Sequence, residues 1–307
     1  MRAPRRLILP HPRQHGFTLV ELLVTVTLGL LVIAGIGQIY TAAKRSYDIQ
    51  TSLARLQDAG RYAVDTITQD VRRAGYWGLT NMRAFGPPAG AAPTAATCNN
   101  TWGSMAQQTI FGINDSTAGY ACITGVGVRG DVLTARYADP QPTAVFAANA
   151  LYIRTTPTQA SITAGPPAGA PGPISSDHAV TAHAYYVRNS TTATCNGAAI
   201  PALIREELDA NGLPQAAELV LGVEHLQFQF GIDSDGDRSV NQYVNANALA
   251  LANWNNVVSV RFWVLARDEC PETGYTNTAT YAMGDINYTV NDQYRRQLYT
   301  STVALRN

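Results

Sequence analysis

The chain has 307 residues, 46% of them hydrophobic, and equal numbers of acidic and basic side chains give it a formal net charge of zero. This length fits one long helix and one elaborated domain, and the low charged fraction of 14% with 25 glycines and 16 prolines favours an extracytoplasmic β-rich protein over a cytosolic enzyme. No nucleic-acid partner is predicted, because Lys44 is the only lysine and the pairs Arg72-Arg73 and Arg295-Arg296 are interpreted as solvated faces.

The first predicted element is a membrane-inserting helix. An apolar stretch runs from Phe17 to Gly37 with Glu21 as its only charged residue. At 1.5 Å per residue such a helix spans about 30 Å, the thickness of a bilayer core. Because an intramembrane carboxylate costs about 3 kcal/mol by insertion scales, Glu21 is predicted to be a functional position that needs a partner.

The charges before this helix set its orientation. Arg2, Arg5, Arg6 and Arg13 precede the helix, and the first 16 residues contain no acidic residue. The positive-inside rule therefore keeps this end in the cytoplasm and sends the rest of the chain outward. Without those four arginines, 18 of the 22 basic side chains remain against 22 acidic ones, so the rest of the chain is mildly acidic.

The residues at the start of the helix carry a motif. The run Gly16-Phe17-Thr18-Leu19-Val20-Glu21, behind a short basic leader, resembles the class III signal of type IV pilins and type II secretion pseudopilins. The resemblance implies that residues 1–16 are a leader, that a prepilin peptidase cleaves after Gly16, and that the new amine of Phe17 is methylated. It also implies that Glu21 meets the N-terminal amine of a neighbouring subunit during assembly. Opposite charges about 4 Å apart at a dielectric of about 20 attract by about 4 kcal/mol, which offsets the insertion cost.

Two other interpretations of this segment compete with a pilin signal. The apolar stretch could be a secretory signal cleaved after Thr41-Ala42-Ala43, or a plain membrane anchor. Its apolar core exceeds the usual secretory length of about 7 to 15 residues, and neither alternative explains Glu21.

The helix is predicted to continue beyond the membrane, from about Thr18 to Arg73, as an apolar half over 17–40 and an amphipathic half over 41–75. Apolar or small residues recur every three or four positions: Ile49, Leu53, Leu56, Gly60, Ala63, Ile67 and Val71. Charged residues, Asp70 among them, are assigned to the remaining faces. Three glycines in the apolar half, Gly29, Gly35 and Gly37, either let the helix bend or allow close helix approach.

Gly75 and Gly78 are predicted to end the helix, and residues 76–307 are predicted to form a β-rich head. A loop over Asn81–Thr97 follows, and AGPPAGAPGP at Ala164–Pro173 is predicted to be a mobile surface loop. The predicted strands are Val128–Tyr137, Leu151–Thr155, Ala182–Arg188, Val223–Ile232 with one buried face, Val257–Leu265 covered on both sides, and Tyr299–Leu305. The predicted fold class is α+β, a long N-terminal helix packed on an antiparallel sheet-rich head.

Two further parts of the sequence resemble PilW-type minor pilins. The first is the end of the helix, from Ala63 to Gly78. The second is the order of four motifs in the C-terminal part, which are Gly222-Val223-Glu224, the aspartate loop, Val257 to Arg261, and the terminal Leu305-Arg306-Asn307. This resemblance covers roughly residues 15 to 78 and 218 to 307. It implies a non-enzymatic minor pilin that primes type IV pilus assembly and sits in a tip complex. The implied partners are other minor pilins, the major pilin, a tip adhesin, the prepilin peptidase and the inner-membrane assembly platform. The implied location is the inner membrane with a periplasmic head, and later the pilus surface.

Four cysteines, Cys98, Cys122, Cys195 and Cys270, are an even count in a domain expected to be exported, which suggests two disulfides. Of the three possible connectivities, Cys98 with Cys122 and Cys195 with Cys270 is favoured. The local pair would stabilise the fold by about 3 kcal/mol. Structural zinc is the competing interpretation, but no cysteine has a histidine at ligand spacing.

The loop that follows Val223–Ile232 contains Asp233, Asp235, Asp237 and Asn241, whose oxygens are hard ligands of the kind Ca²⁺ prefers. The loop departs from an EF-hand, because Val244 stands where that motif has its bidentate glutamate. The alternative is a hairpin turn whose aspartates bond their own backbone. Possible calcium is the only cofactor that the sequence indicates.

Enzyme signatures are absent from the sequence, which has no nucleophile elbow, zinc-protease helix, phosphate loop or dinucleotide fingerprint. His178 and His183, near Asp177, are interpreted as core or surface residues. The four tryptophans are interpreted as core or interface anchors. Two alternatives to a minor pilin remain at this point: a J-type pseudopilin of type II secretion, and a membrane-tethered periplasmic binding module or enzyme.

Overall fold

The computed structural model describes residues 16–80, 98–115, 122–123 and 127–305. Leader residues 1–15 and the predicted loop Asn81–Thr97 lie outside these ranges. The chain divides into two units, Met1–Thr51 and Ser52–Asn307. Each unit is described by itself below.

One α-helix, α1, runs from Leu19 to Arg73, as its apolar and then amphipathic pattern predicts. Thr18 begins it, since its hydroxyl accepts the N–H of Glu21 at 3.3 Å and its carbonyl accepts the N–H of Leu22 at 3.1 Å. Gly75, with φ of 81°, ends it in a conformation that favours glycine, and this confirms the predicted stop.

The described part of the head contains a short helix, α2 (Asn100–Ser104), and thirteen strands. The strands are β1 (Ile110–Ile113), β2 (Arg129–Pro142), β3 (Leu151–Thr155), β4 (Ala160–Ala164), β5 (Ser176–Cys195), β6 (Ala198–Leu208), β7 (Pro214–Leu221), β8 (Val223–Ile232), β9 (Gln242–Val244), β10 (Val257–Arg267), β11 (Thr280–Met283), β12 (Ile286–Thr289) and β13 (Arg296–Ala304). All of their pairings are antiparallel, which confirms the α+β fold class.

The larger sheet has seven strands in the order β1-β2-β5-β3-β4, with β6 on β5 and β7 on β6. The length of β5 explains this branched order. Its first residues pair with β3, and its part from His183 onward pairs with β6, while β2 runs along its opposite edge. The predicted strand Ala182–Arg188 is therefore the centre of a much longer strand.

The smaller sheet has the order β13-β10-β8-β9, and β11 and β12 form a separate hairpin. The chain passes from the larger sheet to the smaller one at Gly222, which has φ of 85°. A Cβ at this position would lie 2.8 Å from the carbonyl oxygen of Arg267, so only glycine fits the junction without a shift.

The main core lies within the second unit, where the amphipathic half of α1 packs against strands of both sheets. Ala63, Ile67 and Val71 are fully buried in one cluster with the apolar residues of β8, β10 and β13, such as Phe228 and Phe262. Burial of this stripe confirms that the later half of the helix lies against the globular domain.

Two predictions about the strands of the smaller sheet are wrong in detail. β8 is buried on both faces, because Gln227 donates to the Asp115 carboxylate at 2.6 Å and the His225 ring lies 5.3 Å from that of Tyr288 on the hairpin. β10 is central, as predicted, but Arg261 and Trp263 on its outer face are only half-buried. The polar layer that was expected to face solvent on β8 is covered by distant segments.

Candidate functional site

The motif residues stand at the beginning of α1. Gly16 and Phe17 precede the helix, and Phe17 is 80% exposed. Glu21 lies in the first turn, where a carboxylate is favoured by the helix dipole. No cation of the described residues lies within ion-pairing distance of Glu21, so its charge is available to a group outside this part of the chain.

The apolar half of α1 exposes all of its large side chains within the first unit, and it is long and apolar enough to cross a membrane. Thr25 and Thr27 donate their hydroxyls to carbonyls one turn back, at 3.0 and 2.9 Å, which satisfies them without water. A Cβ at Gly29 or Gly35 would meet nothing within 4 Å, so no packing inside the described chain requires these glycines.

In the second unit, Gly60 allows α1 to pack closely on β13 of the smaller sheet. A Cβ there would lie 2.1 Å from Cε2 of Tyr299 on β13. The predicted stripe includes this glycine, and its packing role explains why a helix-weakening residue occurs at that position.

Asp70 joins the end of α1 to the larger sheet and corrects one prediction. The residue is 5% exposed, although the sequence assigns it to a solvated face. Its carboxylate accepts hydrogen bonds from the Tyr137 hydroxyl at 2.7 Å, from the Tyr185 hydroxyl, and contacts His183 Nδ1 at 2.5 Å. Burial alone would raise the pKa of Asp70, but His183 and the two tyrosines outweigh it and hold the pKa below its ordinary value.

The spacing could have revealed this residue, since Asp70 lies three positions after Ile67 and seven after Ala63, both on the buried stripe. A carboxylate on an apolar stripe needs buried donors, and the tyrosines of β2 and β5 provide them. We call Asp70, Tyr137, His183 and Tyr185 the Asp70 cluster.

His178 and His183 have structural partners and do not form a joint site with Asp177. His178 Nε2 lies 2.8 Å from the Ser176 hydroxyl, and its Nδ1 lies 2.8 Å from the carbonyl oxygen of Asp139. Asp177 instead binds Arg154 through both of its oxygens, at 2.6 and 2.7 Å. The interpretation of His178 as a core residue agrees with its 3% exposure.

The prediction that Arg295 and Arg296 form a solvated face is wrong for the second residue. The Arg296 side chain is 1% exposed and forms ion pairs with Glu224 at 2.5 Å and Asp292 at 2.6 Å. Burial lowers the pKa of Arg296, but these two carboxylates more than reverse the effect and raise it. Glu224 lies two residues after the Gly222 junction, so this pairing fixes the start of β8 against the start of β13.

Two disulfides are present, Cys98 with Cys122 and Cys195 with Cys270. The second links the end of β5 in the larger sheet to the segment after β10 in the smaller sheet. It therefore crosslinks the two sheets of the head.

The aspartate loop between β8 and β9 is a turn held by its own side chains. Asp233 accepts the N–H of Gly236 at 2.7 Å through one oxygen and the N–H of Arg238 at 2.8 Å through the other. Burial alone would raise the pKa of Asp233, but the hydrogen bonds from Arg238, Gly236 and Asp235 together outweigh it, and the pKa is lowered. Asn241 accepts the N–H of Ser234 at 2.7 Å. Asp233, Asp235 and Asp237 also each offer an oxygen within 4.8 Å of the others, a spacing that is compatible with a cation, and calcium binding is untested.

Comparison with known families gives two matches. Residues 184–307 match the model described as type IV pilus-assembly protein W, and residues 11–37 match the prokaryotic N-terminal methylation motif. The first region begins inside β5 and extends to the end of the chain. The second contains Gly16, Phe17 and Glu21. No curated protein and no solved structure matches the chain.

Proposed function

This chain is a minor pilin of the PilW family that acts in type IV pilus assembly, and from that premise we propose that it primes the filament and remains in a complex at the tip. The observation that carries the proposal is the combination of a methylation motif on an exposed apolar helix with a PilW-type region in the head. Neither match indicates a chemical reaction, and a structural role fits both.

The first proposed step is processing of the N-terminus. Prepilin peptidase cleaves between Gly16 and Phe17 on the cytoplasmic side and methylates the amine of Phe17. The apolar half of α1 then holds the subunit in the inner membrane with its head in the periplasm, as the arginine-rich leader predicts. The proposed domain division follows: leader 1–16, membrane and assembly segment 17–40, amphipathic segment 41–75 and head 76–307.

The second step is recruitment into the filament. Glu21, which has no cationic partner among the described residues, pairs with the N-terminal amine of an adjacent subunit and offsets the cost of its own burial. The proposed partners are the other minor pilins and the major pilin along the helix, a tip adhesin at the head, and the assembly platform in the membrane.

The experiment that tests this function compares the intact mass and N-terminal sequence of the protein from cells with and without the prepilin peptidase. We expect a peptidase-dependent chain that begins with methylated Phe17. A chain that begins at Met1, or after Ala43, would contradict the proposal and favour a tethered or secreted module.

The effect of a Glu21 substitution on piliation distinguishes a role in the pilus from a role in another system whose subunits carry the same signal motif. We expect Glu21→Ala to abolish surface pili at normal protein level, whereas Asp48→Ala, a charge removal on the exposed surface of the same helix, leaves piliation intact. Normal piliation but defective secretion in Glu21→Ala would favour a pseudopilin instead.

A further inference from the structure

Strand β4 presents a free edge in the larger sheet. It pairs only with β3 among the described strands. At the two ends of this hairpin, the N–H of Gly165 donates to Ala150 and the N–H of Thr156 donates to Gln159, both at 2.8 Å. Since hydrogen-bonded and non-bonded pairs alternate along an antiparallel ladder, residues 161 and 163 also face β3.

The alternate residues of β4 therefore point their backbone groups away from the sheet. These are Ala160, Ile162 and Ala164, and no described group bonds to their N–H or carbonyl groups. Their backbones form a ready template for one more strand.

Charge, proline and bulges, which protect many edge strands, are missing from β4. Natural sheets guard their edges with lysine, proline or bulges. β4, with the sequence ASITA, has no charge and no proline, and its register with β3 is unbroken. By contrast, the edge strand β7 begins with Pro214 and carries Glu218.

The surface around this edge is uncharged. From Pro140 to Ser176 the only charged residue is Arg154, and its guanidinium is occupied by the Asp177 carboxylate and by the carbonyls of Ala168 and Gly169. Two apolar side chains of the same stretch are largely exposed, Val145 at 84% and Ile174 at 69%. Depletion of charge is what distinguishes the centre of a protein interface from the remaining surface.

We propose that the free edge of β4 pairs with an extended, uncharged strand of another protein in the same filament. Main-chain hydrogen bonds to Ala160, Ile162 and Ala164 supply the register, and the uncharged surroundings exclude charged side chains, which would be buried without a partner. The inference rests on the proposed function, and it concerns a part of the chain outside both matched family regions.

The short length of β4 decides what kind of partner it takes. Pairing along five residues buries far less than the roughly 1,000 Å² that a stable interface needs, so two free copies of this chain would not dimerise through it. Subunits already collected by their membrane helices meet at effective concentrations in the millimolar range, where such a weak contact suffices. The occupant is therefore a different subunit held in the filament by its own helix.

The test removes one outward donor. Ile162→Pro deletes an N–H that faces solvent, a position where an edge strand tolerates proline, and Ile162→Thr is the matched control because it changes the side chain but keeps the N–H. We expect Ile162→Pro to lower the amount of the protein in sheared pili about tenfold relative to Ile162→Thr. If Ile162→Pro does not accumulate in cells, Ala164→Pro removes the next outward donor in the same way.

The accessibility of an introduced cysteine on β4 tests the proposed pairing independently in the full-length protein. With Thr163→Cys, we expect a polyethylene glycol maleimide to label sheared pili about tenfold more slowly than the detergent-solubilised protein, while Thr191→Cys on β5 labels equally in both. Equal labelling of Thr163→Cys in both states, or normal incorporation of Ile162→Pro, overturns the inference.

One further result would also overturn the inference, and another comparison shows whether the β4 pairing or the proposed function has failed. Labelling of Thr163→Cys that slows with concentration in the purified protein would mean that a second copy occupies the edge. If Glu21→Ala also left piliation unchanged, the proposed function itself would fail, whereas a normal Ile162→Pro with a defective Glu21→Ala would refute the β4 pairing alone.

Discussion

At the scale of single residues, the Asp70 cluster shows how a carboxylate can stabilise a helix–sheet contact. Asp70 is buried and charged, which is favourable only while its three donors remain in place. The cluster therefore fixes the end of α1 in one rotational position on the larger sheet.

We expect Asp70→Ala to lower the free energy of unfolding by about 3 kcal/mol, because it leaves two buried tyrosine hydroxyls and a histidine without an acceptor. Urea unfolding of the full-length protein in detergent micelles measures this. Asp65→Ala, an exposed residue of the same helix, is the control and should change stability by less than about 0.5 kcal/mol. Equal effects of the two substitutions would show that the cluster contributes no stability.

A second prediction at this scale concerns the aspartate loop. Because Asp233 uses both of its oxygens on backbone N–H groups, the turn is complete without a metal. We expect the melting temperature to be the same in EDTA and in millimolar calcium, and Asp233→Ala to lower it in both. A rise of several degrees with calcium that disappears in Asp233→Asn would instead establish a calcium site.

At the scale of elements, the packing of α1 on β13 leaves no room for a side chain at Gly60. Glycine normally costs a helix about 1 kcal/mol relative to alanine, so Gly60→Ala would stabilise an isolated helix. Here the new Cβ would lie 2.1 Å from the Tyr299 ring, and the ring must move. We expect Gly60→Ala to destabilise the head by about 2 kcal/mol and the added change Tyr299→Ala to remove that penalty. Destabilisation by the pair that equals the sum of the single changes would contradict this account.

The loop between β4 and β5 depends on one side chain. The Arg154 guanidinium donates hydrogen bonds to both oxygens of the Asp177 carboxylate and also to the carbonyls of Ala168 and Gly169. The Pro- and Gly-rich loop that the sequence predicts to be mobile is thus tied to β3. We expect Arg154→Lys, which keeps the charge but cannot make the fork, to increase protease cleavage within residues 165–175 about tenfold. Arg238→Lys, in the aspartate loop, should leave that cleavage rate unchanged.

At the scale of the whole molecule, features encoded locally could be predicted from the sequence, whereas side-chain contacts between distant segments were missed, with the Cys195–Cys270 disulfide as the exception. The helix could be predicted because its apolar pattern repeats every three or four residues, and the signal motif could be recognised because its residues are contiguous. The second buried face of β8 was missed because Gln227 finds its partner 112 residues away, at Asp115. Arg296 was misread for the same reason, since Glu224 lies across the smaller sheet.

The pH dependence of stability is also a property of the whole head. Burial raises the pKa of Asp131 to about 7, of Glu206 to about 7 and of Asp268 to about 6. Each of these groups binds its proton more tightly in the folded state. The stability that they contribute is therefore fully present below the unfolded pKa near 4 and is lost as pH rises toward 7. Asp70 and Asp292, with lowered pKa values, act in the opposite sense, and their contribution is lost only as pH falls below about 4.

We therefore expect the free energy of unfolding to be higher at pH 5 than at pH 8, by about 2 kcal/mol or more. A substitution at Glu206 measures the contribution of one carboxylate to this pH dependence. The Glu206 carboxylate accepts a hydrogen bond from the Tyr186 hydroxyl at 3.2 Å. Glu206→Gln keeps an acceptor for that hydroxyl without a buried charge, so its stability should fall less between pH 5 and pH 8. Glu207→Gln, at the neighbouring and more exposed position, should keep the slope of the unaltered protein. If stability instead rises with pH over this range, the buried carboxylates are ionised at little cost, and the packing around them must admit water.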